Sequence, residues 1–188
     1  TITVNPSPFA DAGSDQSICL GDNVTIGGSP TGPAGVTYAW DNGTSLSSST
    51  IANPVASPTT TTTYTVTVTS TNSCTATDQV TITVNPNPLA DADIDQTICE
   101  GSNLIIGGSP TGPAGATYAW DNGGSLSSTS VANPIADPIV TTTYTVTVTS
   151  GQSCSSTDQV TITVNPTPNV DAGPDQTICD GASVTIGG

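Results

Sequence analysis

Thr63-Tyr64-Thr65-Val66-Thr67-Val68-Thr69 alternates a small polar residue with an apolar one at every step. Period two is the mark of a half-buried β-strand, whose successive side chains point to opposite faces. Thr and Val are β-branched and fit a pleated surface. The chain holds 36 Thr, so the same preference runs through all of it. Gln79-Val80-Thr81-Ile82-Thr83-Val84 alternates in the same way. Around these two runs, Gly, Pro and Asn punctuate shorter apolar stretches. Strands are expected near 8–12, 15–19, 23–28, 36–41, 50–56, 62–70 and 77–84. No segment keeps a helical period over the length a helix needs. Seven short strands in one stretch of this size read as an all-β sandwich.

The whole pattern then returns. Thr1-Ile2-Thr3-Val4-Asn5-Pro6 recurs as Thr81-Ile82-Thr83-Val84-Asn85-Pro86 and as Thr161-Ile162-Thr163-Val164-Asn165-Pro166, a period of 80 residues. Residues 1–80 and 81–160 align without gaps at 58 identical positions. Repetition at a fixed period predicts a tandem array of like units. The expected division is 1–6 as the last strand of a preceding repeat, 7–86 and 87–166 as repeats, and 167–188 as the start of a third. The chain thus reads as a segment of something longer. Asn85-Pro86-Asn87-Pro88 lies between repeats, and its two prolines fix φ and stiffen the connection. Stiffly joined sandwiches would form an extended rod or fibre. Asp41-Asn42-Gly43 and Asp121-Asn122-Gly123 carry Asn-Gly, which suits the positive φ of a tight hairpin turn.

Composition removes many chemistries. The 188 residues include no Lys, Arg, His or Met, against 15 Asp and Glu, for a formal charge of -15. Nothing can clamp phosphate or neutralise a nucleic-acid backbone. No imidazole can serve a Ser-His-Asp triad or a typical zinc site. A surface without cations does not seek anionic membranes. No nucleic-acid partner, no membrane contact and no catalysis are expected.

Aromatic residues are few and recur with the period. Trp40 and Trp120 follow Tyr38 and Tyr118 in Tyr-Ala-Trp, where an immunoglobulin-type sandwich buries a tryptophan. Tyr64 and Tyr144 open the sixth strand. All four are expected core residues; an exposed aromatic platform for sugars is the competing reading of the tryptophans.

These features resemble a known family. Ala-Asp-Ala-Gly-x-Asp-Gln-x-Ile-Cys-x-Gly at 10–21, with variants at 90–101 and 170–181, Tyr-Ala-Trp, Ile51-Ala52-Asn53-Pro54-Val55-Ala56-Ser57-Pro58-Thr59-Thr60 and Tyr64-Thr65-Val66-Thr67-Val68 are similar to the immunoglobulin-like, PKD-like tandem repeats of very large secreted surface proteins of gliding, Bacteroidota-type bacteria. The resemblance covers the whole chain. It implies immunoglobulin-like repeats in an extracellular, type 9-secreted fibre or adhesin. One departure from the typical immunoglobulin pattern is visible: Val24, Ile26, Val66 and Val68 occupy the central positions of the second and sixth strands, with no cysteine across the core.

Two residue sets could carry chemistry. Asp11 and Asp15, with Asp91 and Asp95 in the next repeat, follow each Pro-rich junction. Calcium takes oxygen ligands and would stiffen such a junction; solvated charge that keeps a Thr-rich surface soluble is the other reading. The five cysteines are Cys19, Cys74, Cys99, Cys154 and Cys179, two per repeat and one in the third. Regular pairs in small domains point to disulfides in an oxidising compartment. Cys19–Cys74 within a repeat and Cys19–Cys154 across a junction both fit the count. In this topology Cys19 and Cys74 belong at opposite ends of one sandwich, farther apart than a disulfide spans. Topology therefore favours Cys19–Cys154, with Cys74, Cys99 and Cys179 finding partners in neighbouring repeats.

The expected function is structural: a segment of a long extracellular fibre or cell-surface adhesin stalk. Its expected partners are neighbouring repeats of the same chain, with lateral self-association and an unidentified surface or polysaccharide ligand in addition. The alternative is a set of spacer or carbohydrate-binding modules from a secreted polysaccharide hydrolase.

Overall fold

The computed structural model describes residues 2–187. Six strands form in the first copy of the repeat: β1 (Gln16–Cys19), β2 (Val24–Thr25), β3 (Thr37–Trp40), β4 (Val55–Ala56), β5 (Thr62–Thr69) and β6 (Thr75–Asn85). The long alternating runs became the two long strands, and these pair antiparallel from Thr62↔Ile82 to Thr69↔Thr75. One sheet runs β1-β6-β5-β3 and the other is the β2-β4 pair. β3 lies antiparallel to β5, with Trp40 opposite Val66. β1 joins the other edge in parallel, with Ile18 opposite Val84 and Cys19 opposite Asn85. A short first strand laid parallel to the last, beside a separate sheet, is an immunoglobulin-like arrangement.

Alternation decides which face is buried. Tyr64, Val66 and Val68 of β5 and Val80 and Ile82 of β6 point inward, where Trp40, Ile26, Ala56, Ala12 and Ile18 meet them. A fully buried Val or Ile side chain contributes about 1.5–3 kcal/mol, so a core of this size depends on nearly all of its members.

The second copy repeats the arrangement: β7 (Gln96–Cys99), β8 (Leu104–Ile105), β9 (Thr117–Trp120), β10 (Ile135–Ala136), β11 (Thr142–Thr149) and β12 (Ser155–Asn165), in the orders β7-β12-β11-β9 and β10-β8. Tyr144, Val146, Val148, Val160, Ile162, Ile106 and Trp120 are buried there. The chain is therefore all-β and built of tandem immunoglobulin-like sandwiches. Two compact units emerge: Thr1–Leu89 with Pro113–Thr117 and Val148–Ser156, and Ala90–Gly112 with Tyr118–Thr147 and Thr157–Gly188. Two short segments of the second sequence copy thus group with the first unit.

Three expectations need correction. No strand forms at 8–12. Pro8 has no amide to donate and Gly13 turns away at φ +85°, so only Asp11 and Ala12 bond to the neighbouring loop, through Asp11 N–H to Thr31 O at 2.9 Å and Gly27 N–H to Ala12 O at 2.9 Å. The strands expected at 23–28 and 50–56 shrink to two residues each. Asn42 does adopt the left-handed conformation (φ 49°), but it leads into a 3-10 turn, Gly43–Ser45, rather than a hairpin. β3 pairs with β5, so the chain after Asn42 must leave the sheet.

Candidate functional site

Chemistry in this molecule centres on cysteine. Cys19 ends β1, whose parallel register on β6 sets it opposite Asn85. Beyond it, Leu20 N–H donates to Asn85 O (2.9 Å), Asp22 N–H to Cys19 O (3.0 Å) and Asn87 Nδ2 to Leu20 O (3.0 Å). Gly21 takes φ +98° in this turn, a conformation that glycine adopts without a Cβ penalty. Cys154 sits in the tight turn between β11 and β12. Ser150 N–H donates to Cys154 O at 2.8 Å and Ser153 N–H to Ser150 O at 2.9 Å, with Ser153 at φ 65°.

Cys19 and Cys154 are bonded to each other. Their sulfurs are 2.03 Å apart and their Cα atoms 5.5 Å apart, across 135 residues of sequence. Cys154 is fully buried. Both residues fall in the first compact unit. A polar cleft of about 450 Å³ opens beside the bridge, lined by Ser17, Asp22, Asn23, Asn85, Gln152 and Ser153 among others. Cys74, Cys99 and Cys179 are free thiols. The Cys19–Cys74 pairing, the other connectivity that fits the cysteine count, does not occur.

The aspartates are committed to the backbone. Asp15 Oδ1 accepts from Thr81 N–H (2.8 Å) and Asp95 Oδ1 from Thr161 N–H (2.8 Å). Asp11 Oδ1 accepts from Gly13 N–H and Asp91 Oδ1 from Asp93 N–H, both at 2.9 Å. Asp11 also lies against Gly28, where a Cβ would collide with its carboxylate. Among the described residues, no three of His, Cys, Asp and Glu gather as a metal ion requires. Sequence reasoning missed two other acids, Asp78 and Asp158, which accept the buried amides of Ala12 and Ala92 at 2.7 and 2.8 Å.

Trp40 and Trp120 are each only 5 % exposed, too little for a sugar to stack on. Their indole N–H groups donate inward to Ile51 O (2.9 Å) and Val131 O (3.0 Å). Tyr64 and Tyr144 are completely buried, and their hydroxyls bond to Ser45 Oγ and Ser125 Oγ at 2.7 and 2.6 Å. Phe9 is half-exposed in a cleft with Pro6, Pro8 and Pro33; Leu89 replaces it in the matching cleft with Pro86, Pro88 and Pro113. Tyr38 and Tyr118 recur with the repeat and are half-buried, Tyr38 packed against the core.

The sequence matches no protein-family model, and no curated protein matches it. Among solved structures it is similar to a three-immunoglobulin structure of titin domains in a mutated variant, at 13 % identity and a TM-score of 0.45 over 87 % of this chain and 67 % of that one. It is also similar to immunoglobulin domains 1–4 of Sidekick-1, at 13 % identity and a TM-score of 0.39 over 85 % of this chain and 49 % of that one. The insect immune protein hemolin gives 14 % identity and a TM-score of 0.42 over 85 % of this chain and 47 % of its own. The chain spans about half the length of the last two. What makes the sandwiches immunoglobulin-like is their strand order and pairing.

Proposed function

We propose that this chain is a non-catalytic structural segment of a long extracellular fibre or cell-surface adhesin stalk. The observation that carries the reading is the Cys19–Cys154 bridge. Its span of 135 residues exceeds the 80-residue period, so it ties residues of successive sequence copies together. A covalent tie of that kind resists tension, and tension is the load a stalk carries. A disulfide also favours an oxidising, extracellular setting over a reducing one. The resemblance to repeats of secreted surface proteins of gliding, Bacteroidota-type bacteria supports an adhesin body in particular. No helix among the described residues is long and apolar enough to cross a membrane. Neighbouring repeats are then the chief partners of each repeat. The carbohydrate-module alternative draws no support from the buried tryptophans.

Antibodies raised against the chain test this reading on cells of the source organism. Labelling of intact, unpermeabilised cells along surface filaments is the expected result. Labelling only after permeabilisation would overturn it.

A further inference from the structure

Two of the free cysteines, Cys74 and Cys99, are held as the two halves of the bridge already formed are held. Cys99 stands one period after Cys19, and Cys74 one period before Cys154. Their backbones match as well. Cys99 ends β7 opposite Asn165, as Cys19 ends β1 opposite Asn85. Glu100 N–H donates to Asn165 O (2.8 Å) and Ser102 N–H to Cys99 O (3.0 Å), repeating the bonds that follow Cys19. At the other half, Ser70 N–H donates to Cys74 O and Ser73 N–H to Ser70 O, each at 2.9 Å, repeating the turn that holds Cys154. Ser73 has φ 62° where Ser153 has φ 65°. Cys74 Sγ lies 3.8 Å from Asn5 O, and Asn5 is the period-equivalent of Asn85, the residue opposite Cys19. Cys74 and Cys99 are thus each presented in the backbone conformation that the bonded counterpart has.

We propose that Cys99 of one copy of this chain and Cys74 of a second copy are complementary halves of a further bridge of the Cys19–Cys154 kind, joining copies in one polarity only. Thr161-Ile162-Thr163-Val164-Asn165 is identical to Thr1-Ile2-Thr3-Val4-Asn5, so Asn165 of the first copy can replace Asn5 beside Cys74 of the second. Cys99–Cys99 and Cys74–Cys74 contacts would bring two strand ends, or two hairpin turns, together; the formed bridge joins one of each. The inference needs only the repeat and the bridge geometry, and stands apart from the extracellular reading.

The oxidant is a small disulfide such as oxidised glutathione. The Cys99 thiolate attacks it, breaking the glutathione S–S bond and releasing one glutathione thiolate. The Cys74 thiolate of the second copy then attacks the Cys99 sulfur and releases the other. Two protein thiols lose two electrons, one glutathione disulfide becomes two thiols, and these take up the two protons.

Two variants of the full chain test the pairing: Cys74→Ser/Cys179→Ser keeps only Cys99 free, and Cys99→Ser/Cys179→Ser keeps only Cys74 free. None of the replaced residues is in a disulfide, and Ser keeps a hydroxyl donor where each thiol stood. With oxidised glutathione, the mixture is expected to give a reducible product of twice 18.6 kDa. Cleavage at Asp should release a Cys99–Cys74 peptide from it. Each variant alone should give about tenfold less dimer, because like halves lack the complementary geometry. Equal dimer from either variant alone, or none from the mixture, overturns the proposal.

Discussion

Asp78 shows what a single carboxylate does in a protein that has no cation to pair with it. Its Oδ2 accepts the Ala12 amide at 2.7 Å, and Ala12 is completely buried. Asp78→Ala removes the acceptor and leaves that amide without a partner, a loss of about 1–3 kcal/mol. Urea unfolding in a Trp120→Phe background, where Trp40 alone reports, should show the unfolding free energy falling by that amount, as a lower midpoint at unchanged slope. An unchanged midpoint would mean that the Ala12 amide finds another acceptor. The sequence made the tryptophans legible because a large aromatic at a fixed strand position has few places to go. The aspartates were harder to read. A carboxylate on a strand edge looks the same in sequence whether it faces water, a cation or a backbone amide 66 residues away, as Asp15 and Asp78 both do.

At the scale of elements, legibility followed length. β5 and β6 are eight and eleven residues long, and their alternation announced them. β2 and β4 have the same kind of residues but pair over two positions each, because a strand ends where its partner does and the partner is not written locally. The parallel seat of β1 on β6 comes from the same kind of distant pairing, and it sets where Cys19 lies. Its mechanical consequence can be measured. Everything between Cys19 and Cys154 lies inside a closed covalent loop, so force applied at the chain ends bypasses those residues. At about 3.5 Å per extended residue, the 135-residue separation corresponds to roughly 470 Å of hidden length. Single-molecule pulling should release it after reduction, or in a Cys154→Ser variant, but not from the oxidised chain. Equal extension in both states would show that the bridge carries no load.

For the molecule as a whole, electrostatics has one sign. Fifteen side-chain carboxylates and no Lys, Arg or His leave no ion pair between side chains for salt to weaken. Screening can therefore only reduce repulsion, and repulsion opposes the compact state. The Debye length falls from about 30 Å at 0.01 M to about 10 Å at 0.1 M and 3 Å at 1 M salt, so most of the repulsion between separated aspartates is removed over that range. Folded stability should rise steadily with sodium chloride, which is opposite to the behaviour of proteins held by surface ion pairs. The same screening should speed the joining of two copies, since each approaches the other carrying a formal charge of -15. A urea midpoint that rises between 0.01 and 0.5 M salt, together with a higher initial rate of Cys99–Cys74 dimer formation, is the expected result. A midpoint that falls with salt would mean that attractive interactions involving these carboxylates outweigh their mutual repulsion.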